Sequence, residues 1–404
     1  MSNSNSFLEK PLTLPCGVTL KNRIAKAAMT ERLADRKQQA TPALANLYDQ
    51  WASNGAGLLI TGNILVDRRY KEASANIVLE DETGLRELSK MVTAGKQKDT
   101  HIWAQISHAG RQASIFSTFK PIAPSAIPLK KLGLFAKPKA MTLAQIKDVE
   151  DRFVRAASLC QKAGFTGIQV HAAHGYLLSQ FLSPNTNHRA DEYGGSIENR
   201  ARLLFDIVKR LRSELGASFP ISVKLNSADF QRGGFDEPDA LLVIGELEKL
   251  GIDLLEISGG TYENLKFLTE RYQKGSTQKR EAYFIDFARQ VREQIKLPLM
   301  ITGGFRTRAF CEEVLRHEEL EVIGFARPFL VASDFPKPFL EHSEGSIADA
   351  TFHMPIEVLK DFAEGGFYDY QIHQLAAGKQ LKPNYNPFLA VLRLTWNEMR
   401  KGWF

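Results

Sequence analysis

Eight short apolar runs, rich in valine and isoleucine and separated by longer segments of helical period, constrain this chain more than any other feature. They cover residues 24–29, 57–65, 101–107, 167–171, 221–225, 254–258, 299–302 and 322–326. Near-continuous apolar strands of this length suit a parallel sheet covered on both faces. Eight of them, each followed by helical sequence or a long loop, predict an α/β protein built on a single (β/α)8 TIM barrel. A barrel takes about 250 residues, with more for insertions, so a chain of 404 accommodates one with long loops and a tail.

The helical segments carry their own signals. Thr142 and Gln145 form a capping box, in which each side chain satisfies a backbone N–H of the other. Leu143, Ile146, Val149, Phe153, Ala157 and Cys160 then recur at helical spacing, and Gly164 supplies a left-handed stop. Residues 196–214, with Leu203, Ile207 and Leu211 on one face, repeat the theme, as do 237–250 and 280–295. Ahead of the first run, LTLPCGVTLKN reads as a hairpin able to plug the bottom of the barrel. Residues 108–140 and 259–279 are long connections of the kind from which barrel enzymes build sites and lids. The expected organisation is a barrel over 7–335 and a helical, aromatic extension over 336–404. That extension holds Phe367, Tyr368, Tyr370, Tyr385, Phe388, Trp396, Trp403 and Phe404, and it is expected to pack on its own barrel.

Composition narrows the function classes. The chain is 44% hydrophobic and 24% charged, with a net charge of +6 that no basic run concentrates. A nucleic-acid partner is not expected from so diffuse an excess; a phosphate-bearing ligand fits it better. Cys16, Cys160 and Cys311 are far apart and form no CxxC pair, so neither a zinc nor an iron–sulfur centre is expected, and a reducing, cytoplasmic setting is. The opening MSNSNSFLEK lacks the apolar core of a secretory signal, and no stretch approaches a membrane span.

The segment HAAHGYLLSQFLSPNTNHRADEYGGSIENRARL, beginning at His171, carries the chemistry. His171, His174 and Tyr176 fall where the fourth run ends, the end at which barrels place their sites. Two imidazole N–H groups can stabilise negative charge growing on one oxygen, and a phenol can supply a proton. An HxxH pair by itself also fits a metal pair or two locally satisfied histidines, although no glutamate stands as in HExxH.

Together with AQISHAGRQ at 104–112, APSAIP at 123–128 and ITGGF at 301–305, this segment resembles the Old Yellow Enzyme family of FMN-dependent ene-reductases, the NADH:flavin oxidoreductases. The resemblance covers roughly residues 7–335. It implies non-covalent FMN across the C-terminal mouth of the barrel and NAD(P)H as hydride donor. It also implies an enone-type small molecule as substrate, reduced at its activated C=C bond by ping-pong hydride transfer. Ala27, Ala28, Met29 and Thr30 would lie along the flavin, with Thr30 near its C4 carbonyl. Gly62 would let backbone approach the ring, Gln105 would bind the pyrimidine edge, and Lys224 would place a cation near N1 and the C2 carbonyl, where relatives more often have arginine. Gly303, Gly304, Ala326 and Arg327 would hold the phosphate, and His171, counted with both the cofactor and the catalytic set, would join His174 in gripping the substrate oxygen. Tyr176 would protonate the α-carbon. No metal is implied. With Arg32 two residues after Thr30, the cysteine and tyrosine that some relatives carry there are absent, so no cysteine redox sensor beside the flavin is expected.

Some relatives insert an arginine from one subunit's tail into the neighbour's site. Arg393 and Arg400 lie in this tail without matching that finger, so a homo-oligomer stays open. A dienoyl-CoA reductase would need a four-cysteine cluster and further nucleotide domains. A metal-dependent barrel hydrolase using His171 and His174 is the other alternative. Arg189 to Gly195, with Asn199 and Arg200, reads as architecture that keeps the histidines in register.

Overall fold

The computed structural model describes residues 6–131, 133–259, 276–341, 347, 354–356 and 359–402. Eight parallel strands close into a barrel: β1 (Ile24–Lys26), β2 (Leu58–Ile60), β3 (His101–Ser107), β4 (Gly167–Ala172), β5 (Ile221–Asn226), β6 (Leu254–Ser258), β7 (Leu299–Thr302) and β8 (Val322–Phe325). Each pairs with the next, and β8 pairs with β1 through Gly324 and Ala25. The (β/α)8 architecture expected from the runs is thus the one observed.

Two strands differ from the sequence expectation by more than one residue. The first strand ends at Lys26, and Ala27 to Thr30 continue it beyond the ladder, with the Ala27 N–H still donating to the Phe325 carbonyl at 2.8 Å. The second run breaks into β2 and a two-residue strand, Ile64–Leu65. The break falls at Gly62, whose N–H leaves the sheet to donate to Glu31 Oε1 at 2.9 Å.

The helices form the outer layer: α1 (Pro42–Ser53), α2 (Leu85–Gly95), α3 (Leu143–Ala163), α4 (Ile197–Leu215), α5 (Glu237–Lys249), α6 (Ser276–Arg292) and α7 (Arg308–Arg316). Helix α3 starts with the Thr142–Gln145 capping box and stops at Gly164 with φ +93°. Its stripe of Ile146, Val149, Phe153, Ala157 and Cys160 is buried, which holds the helix on the sheet, whereas Leu143 in the first turn, expected on the same stripe, is exposed.

Side chains alternate across each strand. Ala25, Leu58, Trp103, Leu254, Met300 and Val322 point inward and fill the bottom of the barrel. Leu12, Leu14 and Leu20 of the antiparallel N-terminal hairpin join this cluster, so the hairpin does plug the floor. Gly167 makes room for the Trp103 indole, because a Cβ there would lie 2.5 Å from its Nε1. The opposite, C-terminal end stays polar.

The tail forms α8 (Lys360–Ala376) and α9 (Pro387–Gly402). They pack on each other and hold the loops at the mouth. Glu398 binds Arg32 (3.0 Å) and the Ser74 hydroxyl (2.8 Å), while Glu364 accepts from Arg327 (3.2 Å) and Asp361 pairs with Lys131 (3.3 Å). Phe367 and Tyr370 are buried, and the Tyr370 ring stacks on Tyr385 at 3.6 Å; Phe388 and Trp396 are exposed. Trp403, Phe404 and most of the 259–279 connection lie outside the described residues. No described helix is long and apolar enough to cross a membrane.

Candidate active site

The C-terminal end of β4 turns sharply into a short helix, Leu177–Leu182. His174 and Gly175 both take left-handed backbone, at φ +59° and +76°. Left-handed histidine is strained, and such strain persists where surrounding contacts over-determine it. The Asn226 side chain accepts from the His174 N–H (3.2 Å), Gln112 Nε2 donates to its carbonyl (3.2 Å), and Ser179 Oγ accepts from the Gly175 N–H (3.2 Å). The turn aims three side chains at the mouth. The His171 and His174 rings meet edge to face at 5.3 Å, and Tyr176 meets His171 at 4.8 Å.

Both imidazoles are neutral at neutral pH. Burial, reinforced by His174 and the Lys224 cation, drives His171 well below its ordinary value. His174 keeps an edge open to the mouth, yet its surroundings and Lys224 still push it down to about 3. His171 Nδ1 accepts from the Ala173 N–H at 3.3 Å, which leaves Nε2 as the donor. His174 Nε2 lies 2.6 Å from Ser258 Oγ.

Below this layer runs a buried polar chain. Gln105 Nε2 donates to Gln169 Oε1 (2.7 Å), Gln169 Nε2 donates to Glu256 Oε2 (2.9 Å), and Glu256 Oε1 accepts from Thr302 (2.7 Å) and pairs with Lys224 Nζ (2.7 Å). The register explains it: Gln105 sits opposite Gln169, and Lys224 lies between His171 and Glu256. Gly324 belongs to the same level, since a Cβ there would lie 2.1 Å from Thr302 Oγ1. Gln105 and Lys224, expected to contact the cofactor, lie in this buried layer and are engaged with protein partners. Gln169, Glu256, Ser258 and Asn226 were not singled out from sequence, although a carboxylate inside the apolar run LLEIS is a readable signal.

On the opposite rim, Thr30 Oγ1 donates to Glu72 Oε1 (2.5 Å), and Tyr176 donates to Glu72 Oε2. Gly62 packs against this rim. A Cβ would fall 2.3 Å from the Met29 carbonyl and from Glu31 Oε2, so Gly62→Ala is expected to displace the Met29–Thr30 segment. Overpacking of this kind costs about 1–3 kcal/mol; thermal unfolding and flavin retention of the purified variant measure it.

After β7, Gly303 and Gly304 lie at φ +99° and +93° with open space beside Gly303. Consecutive left-handed glycines present bare N–H groups, a geometry that suits an anion. Ala326 opens the turn after β8, where its carbonyl accepts from the Phe329 N–H at 3.1 Å, and Arg327 caps the short helix Pro328–Val331. The donor set fits FMN: glycine N–H groups and an arginine would suit its phosphate, and Lys224 and Gln105 would suit its ring. Arg189 pairs with Asp191 and its Nη1 donates to the Met141 carbonyl at 2.6 Å, and Arg200 binds Asp239 at 2.8 Å, so both tie loops and helices together.

A closed parallel barrel with a polar mouth, left-handed glycines after β7 and paired imidazoles after β4 is compatible with a flavin-binding oxidoreductase. Residues 8–344 match the model of the NADH:flavin oxidoreductase / NADH oxidase family, and the chain belongs to that family, the Old Yellow Enzymes. It is 36% identical over 370 residues to the NADH-dependent flavin oxidoreductase iliE of Hypocrea jecorina, covering 85% of this chain and 92% of the relative. It is 31% identical to the NADPH dehydrogenase of Bacillus pumilus, covering 84% and 96%. Among solved structures, the old yellow enzyme homologue of Zymomonas mobilis aligns with TM-score 0.71 at 26% identity, covering 86% of this chain and 97% of that one. FMN and NAD(P)H are accordingly its cofactors.

Proposed function

We propose that the protein reduces the activated C=C bond of α,β-unsaturated carbonyl compounds. The observation that carries this reading is the convergence of His171, His174 and Tyr176 on one mouth, with both imidazoles neutral and held by backbone and side-chain bonds. FMN, when bound, accepts hydride from NAD(P)H and returns it to an electron-poor carbon. The protein's part is to make that carbon electron-poor. His171 Nε2–H and the His174 ring bind the carbonyl oxygen and stabilise the charge that gathers there as the β-carbon is attacked; each such donor is commonly worth about 3 kcal/mol. Tyr176 stands over the same space and protonates the α-carbon. Gln105, Lys224, Thr30, Gly62 and the 27–29 segment hold the ring, and Gly303, Gly304, Ala326 and Arg327 hold the phosphate. The neutral imidazoles favour a neutral carbonyl substrate. The three free cysteines support a cytoplasmic setting.

Anaerobic half-reactions test the reading. Tyr176→Phe is expected to slow reoxidation of the pre-reduced enzyme by 2-cyclohexenone about 10²-fold or more, the usual range for a positioned acid, and to slow reoxidation by oxygen far less. Equal slowing with both oxidants would remove Tyr176 from the role of proton donor. A wild-type enzyme that no enone, maleimide or nitroalkene reoxidises would overturn the function itself.

A further inference from the structure

We propose that Ser258 is a positioning residue that sets the tautomer of His174, so that Nδ1 carries the hydrogen this ring offers to the substrate oxygen. The inference rests on the reading above of His174 as a donor to that oxygen. A neutral imidazole has a single N–H, and burial together with Lys224 keeps His174 neutral. Which nitrogen holds that hydrogen therefore decides whether the ring can donate into the mouth. Nε2 is already engaged, 2.6 Å from Ser258 Oγ. Nδ1 meets no partner among the described residues and is not sealed from solvent. The donation falls to Nδ1.

The sheet explains why this serine stands there. Asn226 and Ser258 are register partners at the C-terminal ends of β5 and β6, and the Ser227 N–H donates to the Ser258 carbonyl at 2.7 Å. Asn226 Oδ1 accepts from the His174 N–H at 3.2 Å while Ser258 meets the ring, so two adjacent strand ends hold the backbone and the imidazole of one left-handed residue. The direction of the Ser258 bond follows from its hydrogen. A hydroxyl can donate or accept. If Nε2–H donated to Oγ, the hydroxyl hydrogen would meet no acceptor among the described residues. Nδ1 would then turn a lone pair toward the carbonyl oxygen and repel it. With Oγ–H donating to Nε2, both hydrogens are placed and Nδ1–H is left for the substrate. The partner of one ring nitrogen fixes the state of the other, and His171 obeys the same rule with the opposite result: the Ala173 N–H occupies its Nδ1 and leaves Nε2–H. The two rings thus offer one N–H each through opposite tautomers.

The test uses the FMN-loaded enzyme with nitrogen-15 in its histidine rings, its Ser258→Ala and Ser258→Thr variants, and His174→Ala to assign the His174 signals by difference. The wild type is expected to show a protonated Nδ1 and a bare Nε2 at His174. Ser258→Ala is expected to shift the ring toward the Nε2–H form, and Ser258→Thr, which keeps a hydroxyl, to retain the wild-type pattern. A serine that only fills space would leave the ring nitrogens unmoved. The functional readouts are the affinity for a simple phenol and the rate at which 2-cyclohexenone, relative to oxygen, reoxidises pre-reduced enzyme. Each is expected to fall about three- to tenfold in Ser258→Ala, the range a single hydrogen bond commonly commands, and to return in Ser258→Thr. A wild type carrying Nε2–H at His174, or a Ser258→Ala variant with the wild-type nitrogen pattern, overturns the assignment while leaving the proposed function standing. A wild-type enzyme that enones do not reoxidise overturns the proposed function, and the role of Ser258 falls with it.

Discussion

Replacing His171 and His174 together with alanine is expected to slow the enone half-reaction by about 10³-fold or more, because removal of one oxyanion donor alone commonly costs 10²–10³. The two are not expected to add fully, since they act on one oxygen and their rings touch at 5.3 Å. Reduction by NAD(P)H is expected to suffer far less, because the charge that develops in that step falls on the flavin and not on an oxygen held by these imidazoles. Stopped-flow measurement of each half-reaction separates the two effects. Equal losses in both would mean that the pair acts on flavin placement rather than on the substrate oxygen. The single variants discriminate further. His174 shares its Nε2 with Ser258 at 2.6 Å, whereas the His171 Nε2–H meets no acceptor among the described residues, so His171→Ala is expected to cost more than His174→Ala.

Lys224→Met is expected to destabilise the fold by about 3–5 kcal/mol, the usual cost of leaving one member of a buried pair uncompensated. Lys224 and Glu256 are 6% and 0% exposed and 2.7 Å apart, so water cannot take the cation's place. The double variant Lys224→Met/Glu256→Gln is expected to recover most of that loss, because a neutral amide can still accept from Thr302 or Gln169. A thermal or denaturant unfolding series on the two variants checks this. If the double variant is no more stable than the single one, the ion pair is not the source of the loss. Neither variant is expected to reduce its flavin as readily as wild type, since the cation proposed to lie near N1 and the C2 carbonyl is gone from both.

The barrel was legible because strands covered on both faces are largely apolar, so β2, β7 and β8 stand out from a plain reading of Val, Ile and Leu. Gly57 to Leu65 looked like one strand for the same reason. What breaks it is Glu31, a residue of the preceding loop that captures the Gly62 N–H, and composition within the run carries no trace of that. The histidines and Tyr176 were legible as a motif on a few consecutive residues. Their partners were harder. Glu256 and Gln169 occupy inward-facing positions of their strands, and counting alternate residues back from Ser258 and His171 reaches them. Glu72 carries no such mark. It sits in a charged stretch, RRYKE, and acquires meaning only when the closed barrel brings the β2 loop over the β4 turn. The aromatic tail was recognisable as a packing element, yet its targets, Arg32, Ser74, Lys131 and Arg327 on four separate mouth loops, depend on the assembled barrel.

The most direct test of the central claim, that the paired imidazoles face the flavin across the barrel mouth and hold an oxygen there, is titration of the FMN-loaded protein with a simple phenol while the visible spectrum is recorded. A phenolate seated on His171 and His174 above the flavin is expected to give a long-wavelength charge-transfer band in the wild type that the double alanine variant lacks. A wild-type spectrum that phenols leave unchanged, or a band that survives in the double variant with unaltered affinity, would contradict the account.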